Sequence, residues 1–396
     1  MKCYVIALSG LLFMAFSCKK PLPVVAKTYS NGPVDSLKIN QITILASHNS
    51  YHLKTDSLVF QFMIGLNSAG ALPSGNDPKE LDYIHLPLTE QLVNYNIRGL
   101  ELDVWNDPTG DRFYYRGAYA LMGLPSSSNL PVLVNPGFKI MHIPDFDFNP
   151  TNYTFVDALV EIKAWSDAHP NHLPVFINIE TEVQTIGDME PALSNLTRSA
   201  PFDATAADEL DREIKSVWGN ALANVITPDD VRGNYATLQA AALAGNWPNL
   251  GAARGKVLFI IDPDGNSGNV YKSDHASLAG RACFVYSNPG DAEAVCVKYN
   301  DPVGSFTQIQ QAVSAGYIVR TMSDDATLEA RAGDYSRMYS AFAGYAQIVS
   351  TDYYRPDYRA GTTGWSDYHV KLPGGGAGRV DSISATSQLG LGPIKE

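Results

Sequence analysis

GLELDVW, Gly99–Trp105, reads as a short β-strand that carries acid along one face. Leu100, Leu102 and Val104 alternate with Glu101 and Asp103, and residues two apart on a strand point to the same side. Two such carboxylates repel each other and raise a pKa unless a cation sits between them. What this strand belongs to is decided by its neighbours in the chain.

Outward from it, short β-rich runs recur. Counting the run Ile97–Val104 that holds it, they are Gln41–Ala46, Ile97–Val104, Phe138–Met141, Pro174–Ile179, Lys256–Ile261, Ala282–Tyr286, Tyr317–Thr321 and Gln347–Ser350. Longer segments with helical spacing lie between them: Leu86–Tyr95, Phe155–Ala168, Leu210–Val217, Phe306–Ala315 and Ala326–Phe342. Strand–helix alternation implies parallel strands joined by right-handed crossovers, and eight such units close a barrel. The expected fold class is α/β, a single-domain (β/α)8 TIM-type barrel over residues 39–360. An open doubly wound sheet is the alternative, but no Gly-rich nucleotide loop follows the first run.

Polar residues cluster at the ends of the first four runs. His48 and Asn49 follow run one, Glu101 and Asp103 close run two, His142 closes run three and Glu180 closes run four. Parallel strands bring their carboxyl ends to one mouth, where active sites on this architecture sit. Asn49, Glu101, Asp103 and Glu180 form an all-oxygen set that suits a hard cation, Ca2+ more readily than Mg2+ because the geometry is loose. Zinc would prefer the histidines as first ligands. His48 and His142 supply imidazoles able to act as acid and base near neutral pH.

Four segments, SHNSYH (Ser47–His52), GLELDVW, KIMH (Lys139–His142) and PVFINIE (Pro174–Glu180), together resemble the catalytic blocks of calcium-dependent phosphatidylinositol-specific phospholipases C, in the family order. The resemblance implies a phosphodiesterase in which His48 and His142 are catalytic and Asn49, Glu101, Asp103 and Glu180 hold calcium. It also implies attack by an inositol 2-hydroxyl on the adjacent phosphodiester, with a cyclic phosphate as first product. VRTMSDD (Val319–Asp325) and STDYY (Ser350–Tyr354) look broadly like the last two strands of the same superfamily. No flanking lipid-targeting modules are present, and the long connection Asn106–Gly137 departs from the family pattern, so the head group stays open.

Arg320 beside the seventh run, Arg112 or Arg116 in the loop after the second, and Tyr353 at the eighth are the expected substrate-binding residues. Glycerophosphodiesterases and sphingomyelinase D-like enzymes share this fold and are the first alternative. They place their second histidine in the first βα loop, whereas His142 fits the phospholipase C pattern better than His52 or His85. A glycosidase using Glu101 and Glu180 would leave the histidines and Asn49 unexplained. A non-catalytic lipid- or glycan-binding surface lipoprotein would be expected to lack a ligand or an acid, and all six positions are filled.

The N-terminus begins Met-Lys-Cys, runs apolar from Tyr4 to Phe16 and ends in Ser17-Cys18-Lys19-Lys20. A positive start and a short apolar stretch describe an export signal, and the stretch is short for a bilayer span. Ala15-Phe16-Ser17 before Cys18 resembles the lipobox of bacterial lipoproteins, which implies cleavage after residue 17, acylation of Cys18 and a membrane anchor; ordinary secretion is the alternative. Residues 18–38 read as a tether and 361–396 as a Gly-rich tail. Of the four cysteines, Cys283 and Cys296 lie outside the export segment and are expected to close a small disulfide loop. A formal net charge of -12 argues against nucleic acid as a partner, so an anionic lipid must be gripped locally.

Overall fold

The computed structural model describes residues 32–72, 77–385 and 392–396. Cys18 and the rest of the export segment lie outside them. No helix among the described residues is long and apolar enough to cross a membrane.

Eight parallel strands wind into a nearly closed barrel in the spatial order β6-β5-β4-β2-β1-β9-β8-β7. They are β1 (Ile42–Ser47), β2 (Gly99–Trp105), β4 (Val175–Glu182), β5 (Val257–Pro263), β6 (Cys283–Val285), β7 (Cys296–Lys298), β8 (Ile318–Met322) and β9 (Ile348–Thr351). A parallel bridge from Tyr286 to Cys296 joins the two ends of the row. β1 approaches β2 where Ala46 pairs with Gly99. A Cβ on residue 99 would lie 2.4 Å from that of Ala46, so only glycine permits this contact.

Seven of the eight expected runs are barrel strands. The third is not. Phe138–Met141 yields only β3 (Lys139–Ile140), which lies antiparallel against the end of β2, pairing Val104 with Ile140 and Trp105 with Lys139. The missing place is filled by β7, three residues long, whose signal was too short to read as a strand. Helices Phe155–Ala168 and Phe306–Ala315 have the expected bounds. Ala326–Phe342 instead breaks at Gly333, which takes a φ of 69°, into Leu328–Ala332 and Ser336–Ala343. A helix not read from the sequence, Ser57–Ser68, is capped by Asp56, whose carboxylate accepts from the amides of Leu58 and Val59.

The core is the apolar side of these strands and the helices around them, with Ile44, Leu100, Ile177 and Ile260 all fully or almost fully buried. Leu37 and Ile39 join it. The Gly-rich stretch is packed too. β10 (Gly378–Val380) pairs with Ile42 and Thr43 of β1 and with β11 (Pro393–Ile394). Beyond them the Glu396 carboxylate accepts from Arg98 and from the Leu173 amide. These contacts cover the amino ends of the strands and leave the opposite mouth to the polar residues.

Cys283 and Cys296 are buried free thiols, not a disulfide. Cys296 sits opposite Tyr286, three residues beyond Cys283. At strand rise that offset is about 10 Å, outside the reach of roughly 7 Å between Cα atoms that a disulfide tolerates.

Candidate active site

At the carboxyl mouth each expected catalytic histidine is held by a carboxylate. His48 follows β1, and its Nδ1 lies 3.0 Å from Asp352 Oδ1, just past β9. Its carbonyl accepts from Nε2 of buried His85 at 2.8 Å. His142 follows β3, and its Nδ1 lies 2.9 Å from Asp147 Oδ2 on the next turn. Both rings thus turn Nε2 away from their carboxylates. His48 Nε2 stands 4.0 Å from Glu101 Oε2.

The four expected metal ligands meet beside His48. Asp103 pairs in register with Glu180, and Trp105 with Glu182, which stacks the acids of β2 and β4. Two groups of close carboxylates result, Glu101–Glu180–Asp262 and Asp103–Glu180–Glu182, with ligand atoms in each within 4.8 Å of one another. Glu180 belongs to both. Asn49 adopts φ 43°, a left-handed turn that asparagine tolerates, and its backbone amide reaches Glu101 Oε2 at 3.3 Å. The end of its side-chain amide that faces Asp103 lies 3.1 and 3.2 Å from the two carboxylate oxygens. Tyr51 donates to Asp103 at 2.6 Å, and the Tyr83 hydroxyl lies 3.3 Å from the Asn49 amide.

The family model described as Ca2+-dependent phosphoinositide phospholipase C matches residues 37–382. The chain belongs to that family. It is a phosphodiesterase of the phosphoinositide phospholipase C type on the barrel those enzymes share. Among solved structures, the chain is similar to a calcium-dependent phosphoinositol-specific phospholipase C from Pseudomonas sp in a myoinositol complex. The identity there is 17%, over 83% of this chain and 93% of that one, with a TM-score of 0.49. For the Ca2+-dependent enzyme of Streptomyces antibioticus the identity is 17%, over 80% and 95%, with a TM-score of 0.48. For the enzyme of Listeria monocytogenes it is 11%, over 80% and 89%, with a TM-score of 0.42. No curated protein matches the chain.

The electrostatics of this phospholipase C-type site suit a divalent cation. Five carboxylates, Glu101, Asp103, Glu180, Glu182 and Asp262, outnumber the cationic groups beside them, Arg320, Lys298 and His48. Arg320 donates at 2.7 Å to both oxygens of Glu101 and at 3.2 Å to Asp262, and Lys298 pairs with Asp262. Burial pushes Glu101 up, but Arg320, then His48 and Lys298, bring it below its ordinary value. Asp262 shares Arg320 and Lys298, but at Glu180 their pull is outweighed by burial and by neighbouring acids. Burial, then Asp262 and Glu101, carry Glu180 up to about 7. Burial, then Glu180, Asp264 and Asp262, carry Glu182 up to about 8. Asp103 is raised well above its usual range by burial and by Glu180, Glu182 and Glu101. Among the described residues none of Asp103, Glu180 and Glu182 forms an ion pair. Oxygens packed this way, with the Asn49 amide against them, fit a hard cation.

The expected substrate-binding residues need correction. Arg112 is tied to the carbonyls of Arg198 and Ser199, the second at 3.4 Å. Arg116 is buried against the rings of Phe148 and Tyr153. Tyr353 is buried and packs edge-on against Tyr368, so it offers no face at the mouth. Arg320 does lie at the site, but as the counter-ion of Glu101 and Asp262. Sequence reading missed Asp262, Glu182, Asp352 and Asp147. The first three left a signal, since each follows a strand run. Asp147 left none, because its role depends on a turn.

Proposed function

We propose that the chain cleaves an inositol phosphodiester, phosphatidylinositol first among them, by attack of the ring's own 2-hydroxyl. The observation that carries this reading is the pair of histidines, each held at Nδ1 by a carboxylate, following strands whose carboxyl ends carry a cluster of acids. Asn49, Asp103 and Glu180 would hold calcium, with Glu101 and Glu182 beside them. When bound, calcium lowers the pKa of the attacking hydroxyl and offsets charge growing on the phosphate.

In the reaction, the bond from the 2-oxygen to phosphorus forms as the bond from phosphorus to the glycerol oxygen breaks. The hydroxyl proton passes to a carboxylate of the cluster. His48 donates a hydrogen bond from Nε2 to a phosphate oxygen in the transition state. His142 gives the proton on Nε2 to the leaving oxygen, so diacylglycerol departs neutral and the head group is left as a cyclic phosphate. No other reactant is needed.

Burial opposes a charge on His48, but Asp352 and Glu101 outweigh it and carry its pKa up to about 9. That supports a charged donor to phosphate at neutral pH. Export, with Cys18 acylated, is proposed from residues 1–20 alone. A Cys18→Ser chain should then leave the membrane fraction.

The test is incubation of residues 19–396 with phosphatidylinositol vesicles, followed by phosphorus NMR with calcium and with excess chelator. A cyclic inositol phosphate that appears only with calcium supports the reading. Turnover of glycerophosphodiesters or sphingomyelin in its place would move the enzyme to the alternative substrate class.

A further inference from the structure

Asp147 is 1% exposed and carries three side-chain partners on two oxygens. Oδ2 lies 2.9 Å from His142 Nδ1 and 2.7 Å from His52 Nε2, and Oδ1 accepts from Thr55 Oγ1 at 2.7 Å. Backbone bonds between Ile143 and Asp147, in both directions at 3.1 and 2.8 Å, close the turn that holds it. His52 is fixed in its turn. Its ring stacks on Tyr83 with centroids 4.1 Å apart and planes at 21°, and its amide donates to the Asn49 carbonyl at 2.8 Å.

An ionised carboxylate only accepts, so each of these neighbours must donate. One hydrogen on His142 is thereby fixed at Nδ1, and Nε2, facing away from Asp147, is left to carry and deliver the second when the ring is charged. On His52 the hydrogen is placed at Nε2. Burial works against the Asp147 charge, yet His52 and His142 hold its pKa below the ordinary carboxylate range. His52 Nδ1 is buried without a partner among the described residues. A lone pair there is tolerable, whereas an unpaired N–H would be costly.

We infer that Asp147 is the positioning residue of His142, and that His52 and Thr55 exist to fix Asp147. The inference deepens the proposed function, because it rests on His142 protonating the leaving oxygen. His52, His142 and Asp147 bring ligand atoms close enough for a transition metal. However, 2.7 and 2.9 Å are hydrogen-bond lengths, and a metal on Nδ1 would remove the hydrogen that Asp147 binds.

Two inositol phosphodiesters separate a positioning role from a general structural one. Phosphatidylinositol has an alkoxide leaving group that needs a proton, and a 4-nitrophenyl inositol phosphate has a leaving group that does not. For Asp147→Asn, kcat on phosphatidylinositol should fall by about 10²-fold or more, with KM changed less than roughly threefold. The nitrophenyl ester should lose less than about fivefold, since it bypasses the acid. His52→Gln, which keeps a donor, should retain more activity on the lipid than His52→Phe. Equal losses on both esters would overturn the inference.

If the unaltered protein cleaves neither ester, the proposed function fails and the inference is judged by nitrogen NMR of the histidines alone. His142 should then carry its hydrogen on Nδ1 and lose that preference in Asp147→Asn. An unchanged His142 spectrum, or stoichiometric zinc binding that perturbs both His52 and His142, would overturn it.

Discussion

His48 Nδ1 and Asp352 Oδ1 stand 3.0 Å apart, joining the loop after the first barrel strand to the end of the last. Asp352 is the largest influence favouring the charged ring. Asp352→Asn should therefore lower the His48 pKa from about 9 toward the ordinary histidine value. A proton NMR titration of the calcium-free protein reads this directly. If charged His48 binds phosphate, the variant should lose activity as pH rises through about 7, whereas the unaltered enzyme should hold activity to higher pH. Coincident profiles would remove His48 from that role.

His48→Ala and His142→Ala should each cost on the order of 10²–10⁴-fold in kcat on phosphatidylinositol. Melting temperature should change little, since both rings are partly exposed. Near-full activity in both variants would end the assignment.

Calcium binding should release protons. In the calcium-free protein Glu180 and Glu182 titrate at about 7 and about 8. Below those values both carry hydrogen that the ion must displace. Affinity should then rise with pH from about 6 to about 8 and level off above. Calorimetry in two buffers of different ionisation enthalpy measures the released protons, and a pH-independent affinity would count against this cage.

Arg320→Met would strip Glu101 of its nearest ion-pair partner, leaving it His48, and leave Asp262 only Lys298. Breaking such a buried pair costs about 3–5 kcal/mol. Thermal denaturation in chelator should show that loss. Added calcium should raise the melting temperature of the variant more than that of the unaltered protein, because the ion replaces the missing charge. Equal calcium shifts would place the ion away from Glu101.

Cys283 and Cys296 should titrate as two thiols in denaturant, and reductant should leave the melting temperature unchanged. A melting temperature that falls with reductant would restore the disulfide.

The barrel was legible because its strands are buried on both sides and read as continuous apolar runs. The cluster was legible where the acid closes one of the first four runs, as Glu101 and Asp103 do within Ile97–Val104 and Glu180 does just after Ile179. What stayed hidden depends on contacts between distant turns. β7 is too short to show a period. Arg320 looked like a free cation at a strand end, and only the barrel's curvature shows that it points at Glu101. Cys283 and Cys296 looked like a loop closure because thirteen positions separate them in sequence, while their strands offset them. Asp147 depends on the turn Ile143–Asp147 and on a stacked His52, neither of which has a local signature.

β3 leans on the last two residues of β2 and takes no place among the eight parallel strands. The histidine proposed as proton donor is therefore mounted on a fitting, not a stave. The row of eight staves closes without it, and its link to the acid cluster runs through Val104 and Trp105 at the end of β2. Selection could retune the donor for a new leaving group by editing residues 106–147 together with His52 and Thr55, leaving the eight staves in place.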